Sequence, residues 1–237
     1  MSRHDSRTAL TFSLALLALV LSIAAVLLAA CGDAGSAGDP SRSPSSSLSK
    51  SPSLSPPAAT RGSVLVVVAD AGFEDIELST VRDGLVEAGY RPVIASAAGG
   101  EALGSGGSTV ATNMKLADAV AADFVGVALI GGSGSAQYLD DAGLHALLRE
   151  TVKTDKPVGA ICLAPVILAR AGLLKGREAT VWKDNRAELE QAGCSKVGTG
   201  VVVDGTIVTA DGPDSSEGFR DAFLSCLETA SRDSNGP

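Results

Sequence analysis

A parallel α/β sandwich is the fold class that the sequence predicts for residues 63–230. Three observations lead there. Segments such as Val64–Ala69 and Phe124–Ile130 are apolar at nearly every position, which suits strands covered on both faces. Segments of helical spacing alternate with them, the order that builds a parallel sheet between helices. Glycines punctuate the boundaries, as at Gly72, Gly89 and Gly131-Gly132.

The first strand, Val64–Ala69, is followed by a turn at Gly72-Phe73 and a helix over Glu74–Ala88, with Ile76, Leu78, Val81 and Leu85 along its apolar side. Gly89 closes that helix. Arg91–Ser96 is a second strand, Ala98–Gly107 a glycine-rich loop, and Thr109–Met114 a short strand. Phe124–Ile130 stops at Gly131-Gly132, and Ala136–Lys153 is helical through Leu139, Leu144, Leu147 and Leu148. Val158–Ile161 is a strand leading into Cys162, and Val166–Ala171 a helix leaving it. A strand over Ala179–Trp182 and a helix over Asp184–Ala192 come next. Val201–Val203 and Ile207–Thr209 form a hairpin around Asp204-Gly205, and Ser216–Thr229 is the last helix.

Residues 1–62 lie outside that body. Arg3 and Arg7 precede an apolar run from Leu10 to Ala30, which ends Leu28-Ala29-Ala30-Cys31 in the pattern of a bacterial lipobox. On this reading residues 1–30 are a lipoprotein signal peptide and Cys31 is the lipid-attachment residue. Palmitate-type acylation there would tether the protein to the bacterial cell membrane on its extracytoplasmic face. The alternative is an uncleaved signal anchor, because about 20 apolar residues also span a bilayer. The rest of 31–62 is a Ser/Pro-rich, disordered linker with a reach of roughly 30 Å, and 231–237 is a flexible tail.

Loss of Arg3, Asp5 and Arg7 with the leader moves the formal charge from −8 to −9. An acidic chain lacks the basic footprint that nucleic-acid binding needs. No cysteine–histidine spacing suits a metal, and the glycines of 99–107 lack the context of a dinucleotide site, so no cofactor is expected. With Cys31 acylated, Cys162, Cys194 and Cys226 remain, an odd number in an oxidising compartment. At least one thiol is then free unless it pairs between chains, and Cys194 with Cys226 is one candidate disulfide.

The stretch Val158–Val166 is where chemistry concentrates. An apolar strand runs into Cys162, small residues flank the thiol, and Pro165 occupies a first helical turn that tolerates proline. Such a turn resembles a nucleophile elbow built on cysteine, with a helix N-terminus favouring the thiolate. A buried structural cysteine is the plainer alternative. Sites in open α/β sheets lie beyond the carboxyl ends of the strands. Three such ends here are Asp70–Glu77, Gly131-Gly132 and Cys162.

Those segments in order resemble the ThiJ/PfpI family, which includes protein deglycases and PfpI-type proteases. The matching pieces are Ala71–Leu78, Ala128–Gly132, Pro157–Pro165, Ala171–Thr180, Val201–Thr209 and Gly212-Pro213. The resemblance implies a flavodoxin-like (class I glutamine amidotransferase-like) sandwich with a mainly parallel sheet and a cysteine elbow, commonly a homodimer. It implies Cys162 as the reactive thiol and Glu77 as its acidic partner. Glu74 flanks the pocket, although a carboxylate at a helix start is also an ordinary dipole partner. Gly131, Gly132 and Leu163 would present backbone N–H groups to an oxyanion, although two glycines also simply make a tight turn.

Departures from the family pattern bear on activity. Leu163 stands where PfpI-type members carry a histidine, Ala136 where they place an acidic residue, and Trp182 where some deglycase-like members place a histidine. Of the two histidines, His4 falls in the leader and His145 in mid-helix, where a surface position is expected. The missing histidine removes the usual general base of a cysteine hydrolase, which counts against peptidase activity. Three functions stay open: a cysteine-dependent glyoxalase or deglycase acting on small reactive carbonyl compounds, an oxidative-stress thiol sensor, and a non-catalytic binding module with a decayed pocket.

Overall fold

The computed structural model describes residues 61–234. The leader, Cys31, most of the linker and the last three residues, with the expectations placed on them, lie outside the described residues. Residues 231–234 of the expected flexible tail instead extend the last helix, which ends at Ser234. In chain order the described part forms β1 (Ser63–Val67), β2 (Ala71–Phe73), α1 (Asp75–Glu87), β3 (Arg91–Ser96), β4 (Glu101–Gly104), β5 (Thr109–Ala111), β6 (Met114–Lys115) and β7 (Gly126–Leu129). It continues with α2 (Ala142–Lys153), β8 (Val158–Ile161), α3 (Pro165–Arg170), β9 (Glu178–Ala179), α4 (Arg186–Gln191), β10 (Lys196–Val197), β11 (Val201–Asp204), β12 (Ile207–Ala210) and α5 (Ser216–Ser234).

Seven strands make the central sheet in the order β11-β12-β8-β7-β1-β3-β6. All its pairings are parallel except β11 with β12. Strand side chains alternate between faces, and β1 shows the result. Leu65 and Val67 join the apolar layer containing α2 and α3, whereas Val64 and Val66 join the layer containing α1 and α5. Both faces are thus covered, which is why the strands read as continuous apolar runs. This is the mainly parallel, flavodoxin-like architecture expected from the sequence.

Several elements differ from the sequence reading. The helix α1 buries Glu77, Leu78, Val81, Gly84 and Leu85, whereas Ile76 is 57% exposed. The helix is rolled so that a carboxyl takes the inward place expected for isoleucine. The glycine-rich loop after β3 contains a strand, β4, which joins β2 and β5 in a separate three-stranded sheet. The segment Thr109–Met114 is split between β5 of that sheet and β6 at the edge of the central one. The first part of 136–153 is a 3₁₀ turn, Ser133–Tyr138, and α2 starts only after Asp141, whose carboxylate accepts the Leu144 N–H at 2.8 Å. Beyond the elbow, β9 is two residues long and pairs only with β10. Asp204 pairs with Ile207, so the hairpin turn is Gly205-Thr206.

Candidate active site

The strand β8 is buried throughout and delivers Cys162 to the carboxyl edge of the sheet. Cys162 has φ of +63°, a left-handed conformation that costs a side-chain-bearing residue energy and tends to mark functional turns. The surrounding backbone holds it there. The Cys162 N–H donates to Ala210 O at 2.9 Å, and its carbonyl accepts the Trp182 N–H at 2.8 Å. One turn on, Ala164 N–H donates to Ile161 O and Pro165 opens α3. The elbow expected from sequence is therefore present.

Two backbone donors, Gly132 N–H and Leu163 N–H, act on the thiol. The third donor expected there, Gly131 N–H, is committed elsewhere: it donates to Glu77 Oε2 at 2.9 Å. Gly131 also has to be glycine for reasons of space. A Cβ on it would run into Cys162 Cβ and would lie 2.7 Å from Ile161 O and 2.9 Å from Glu77 Oε2. Gly132 has φ of +92°, and a Cβ there would strike the Gly72 carbonyl. The two glycines thus allow the end of β7, the loop before α1 and the cysteine to meet at contact distance.

Glu77 is fully buried, and its Oε1 has no hydrogen-bond partner. Burial pushes its carboxyl up to about 8, and the charge of Glu74 pushes the same way. The Gly131 N–H and the Cys162 thiol pull it down less strongly. The Cys162 thiol is pushed up to about 11, first by burial and then by the charge of Glu77. The N–H groups of Gly132 and Leu163 oppose this in part. The electrostatics therefore run against the thiolate that the elbow alone would favour. Both groups hold protons at neutral pH, and the first proton lost near pH 8 belongs to the pair.

Glu74 stands at the N-terminal cap of α1, where its N–H donates to Gly131 O at 3.1 Å. Its Oε2 accepts the Ser105 hydroxyl at 3.2 Å. Trp182 lies 37% exposed against the Gly212 turn, where a Cβ would sit 3.0 Å from its ring. Lys183 Nζ stands 5.6 Å from the centre of that ring. Beside them is a cavity of about 260 Å³, walled by Val181, Trp182, Lys183, Gly212 and Pro213.

Ala136 falls in the 3₁₀ turn after Gly132 and is exposed. His145 is half-buried on α2 rather than a surface residue, and its Nε2 lacks a hydrogen-bond partner. Cys162, Cys194 and Cys226 are all free thiols, so the candidate disulfide is absent among the described residues. The sequence reading missed Asp75 and Ser105. Their partners lie about thirty residues away in a different element, and no local pattern marks them.

The DJ-1/PfpI family model matches residues 62–225. An uncharacterized protein of Methanocaldococcus jannaschii is 38% identical over 168 residues, which is 70% of this chain and 82% of that protein. The crystal structure of a ThiJ/PfpI domain protein from Brachyspira murdochii superposes with a TM-score of 0.68 at 28% identity, over 70% of this chain and 96% of that one. A structure described as oxidized DJ-1 of Toxoplasma gondii gives a TM-score of 0.61 at 27% identity, over 73% and 97% of the two chains.

Proposed function

This chain belongs to the DJ-1/PfpI family, and on that footing we propose that it is a cysteine-dependent enzyme of the glyoxalase or deglycase type acting on small reactive carbonyl compounds. The observation that carries the reading is the Cys162–Glu77 pair. A buried carboxyl that is still protonated at neutral pH offers one oxygen as donor and one as acceptor. With Oε2 taken by the Gly131 N–H, the proton belongs on the unpartnered Oε1.

In the addition step the Cys162 sulfur bonds to the aldehyde carbon and the carbonyl π bond breaks. Glu77 gives its proton to the carbonyl oxygen and takes the one leaving sulfur, so the product is a neutral hemithioacetal. The N–H groups of Gly132 and Leu163 stabilise the charge that builds in this step. A second exchange through Glu77 moves the carbon-bound proton of a dicarbonyl adduct to its neighbouring carbon, leaving a thioester that water hydrolyses to a hydroxy acid. Turnover of methylglyoxal by the purified protein, abolished in Cys162→Ala, is the expected result. No turnover at millimolar substrate would overturn the reading.

The unpartnered Glu77 Oε1 also favours a second reading, a thiol sensor. It could bond a sulfinic acid formed on Cys162, and a relative described as oxidized supports this. Mild peroxide should then add two oxygen atoms to Cys162 before Cys194 or Cys226 reacts, whereas equal oxidation of all three rejects it. In the cell the enzyme would work from a lipid anchor at Cys31. Metabolic labelling with a palmitate analogue, lost in Cys31→Ser, tests that anchor.

A further inference from the structure

The turn between β4 and β5 reaches back to the start of α1, and Asp75 grips it. The Gly106 N–H donates to Asp75 Oδ2 at 2.6 Å and the Ser108 N–H to Oδ1 at 3.1 Å. The Ser105 N–H donates to Phe73 O at 2.8 Å, one residue before Glu74. Closed in this way, the turn sets the Ser105 hydroxyl 3.2 Å from Glu74 Oε2 and 3.4 Å from Asp75 Oδ2. A side chain at position 104 has no room, because a Cβ on Gly104 would run into the Asp75 carboxylate. None of these groups touches the thiol. Glu74 nevertheless shares the Gly131-Gly132 backbone with it, since Gly131 O accepts the Glu74 N–H.

We infer that the 104–108 turn, clamped on Asp75, fixes the Glu74 carboxylate at the cap of α1 and thereby tunes the pH at which the thiol reacts. Asp75 and Ser105 are on this account positioning residues that act through Glu74. The charge of Glu77 and, more weakly, that of Glu74 both act on Cys162 from α1 or its cap. Each raises the proton affinity of the thiol, so holding Glu74 in place keeps the thiol protonated to higher pH. The clamp persists across the range in which the pair titrates. Bonds from Ser108 and Gly106 hold the Asp75 carboxyl below its ordinary value, so it is ionised well before the pair loses a proton. The inference rests on Cys162 being the reacting group and needs no particular substrate.

The test follows alkylation of Cys162 by iodoacetamide in the full chain between pH 6 and 12, read by peptide mass spectrometry so that Cys194 and Cys226 are counted separately. Glu74→Gln should lower the midpoint by less than about one pH unit. Ser105→Ala and Asp75→Asn should lower it by a smaller amount in the same direction. If Asp75→Asn does not fold, Ser105→Ala decides. A midpoint that stays put in Ser105→Ala while Glu74→Gln shifts it removes the turn from the account. No shift in Glu74→Gln overturns it entirely, and so does a rise in any variant. A structural role alone would lower the melting temperature and leave the midpoint in place. Alkylation needs no carbonyl turnover, so absent turnover with a moved midpoint counts against the proposed enzyme only.

Discussion

At the scale of the residue, Glu77 sets a sign that can be checked. Its folded-state value of about 8 stands above the ordinary 4.5, so the native state binds more protons than the unfolded chain between those values. The Glu77 contribution to stability therefore falls as pH rises from 4.5 to about 8, by up to about 1.4 kcal/mol per pH unit, and is level above. Glu77→Gln removes that slope. Urea unfolding should find it more stable than the parent near pH 8 and show the gain shrinking toward pH 5, while methylglyoxal turnover falls at least about 100-fold. Cys162 gives a second case of stability given up at the site. Its φ of +63° is one that glycine adopts freely. Cys162→Gly should therefore be more stable than Cys162→Ala by about 1 kcal/mol in the same assay, with both inactive.

At the scale of the element, α1 shows what periodicity can and cannot supply. Helical spacing located the helix and three of its inward residues, Leu78, Val81 and Leu85. It placed Ile76 inside because isoleucine is the more apolar neighbour of Glu77, and the site reverses that choice. A carboxyl that must meet Cys162 occupies the inward position, and the isoleucine is turned out. Denaturation should reflect this: Leu85→Ala should cost about 2–5 kcal/mol, and Ile76→Ser less than about 1 kcal/mol. The short strands were hard to place for a different reason. β5, β6, β9 and β10 are two or three residues long, too short for any period to register. Their identity comes from pairing partners far along the chain.

At the scale of the whole molecule, the sheet order brings together the ends of β1, β7 and β8. Each end was legible as a local pattern: an acidic segment, a glycine pair, and a cysteine between strand and helix. What joins them is not local. The Gly131 N–H meets Glu77 across 54 residues of sequence, and the thiol is driven upward by burial and then by the Glu77 charge, against what the elbow alone would favour. The same long-range assembly fixes Trp182, whose N–H is bonded to the carbonyl of Cys162 and whose indole leans on the Gly212 turn, half open to solvent. It is the only tryptophan in the chain. The protein thus carries an intrinsic optical reporter wired to the peptide of its own nucleophile. Tryptophan emission should change in intensity or colour when an adduct forms on Cys162, and should stay constant in Cys162→Ala under the same reagent.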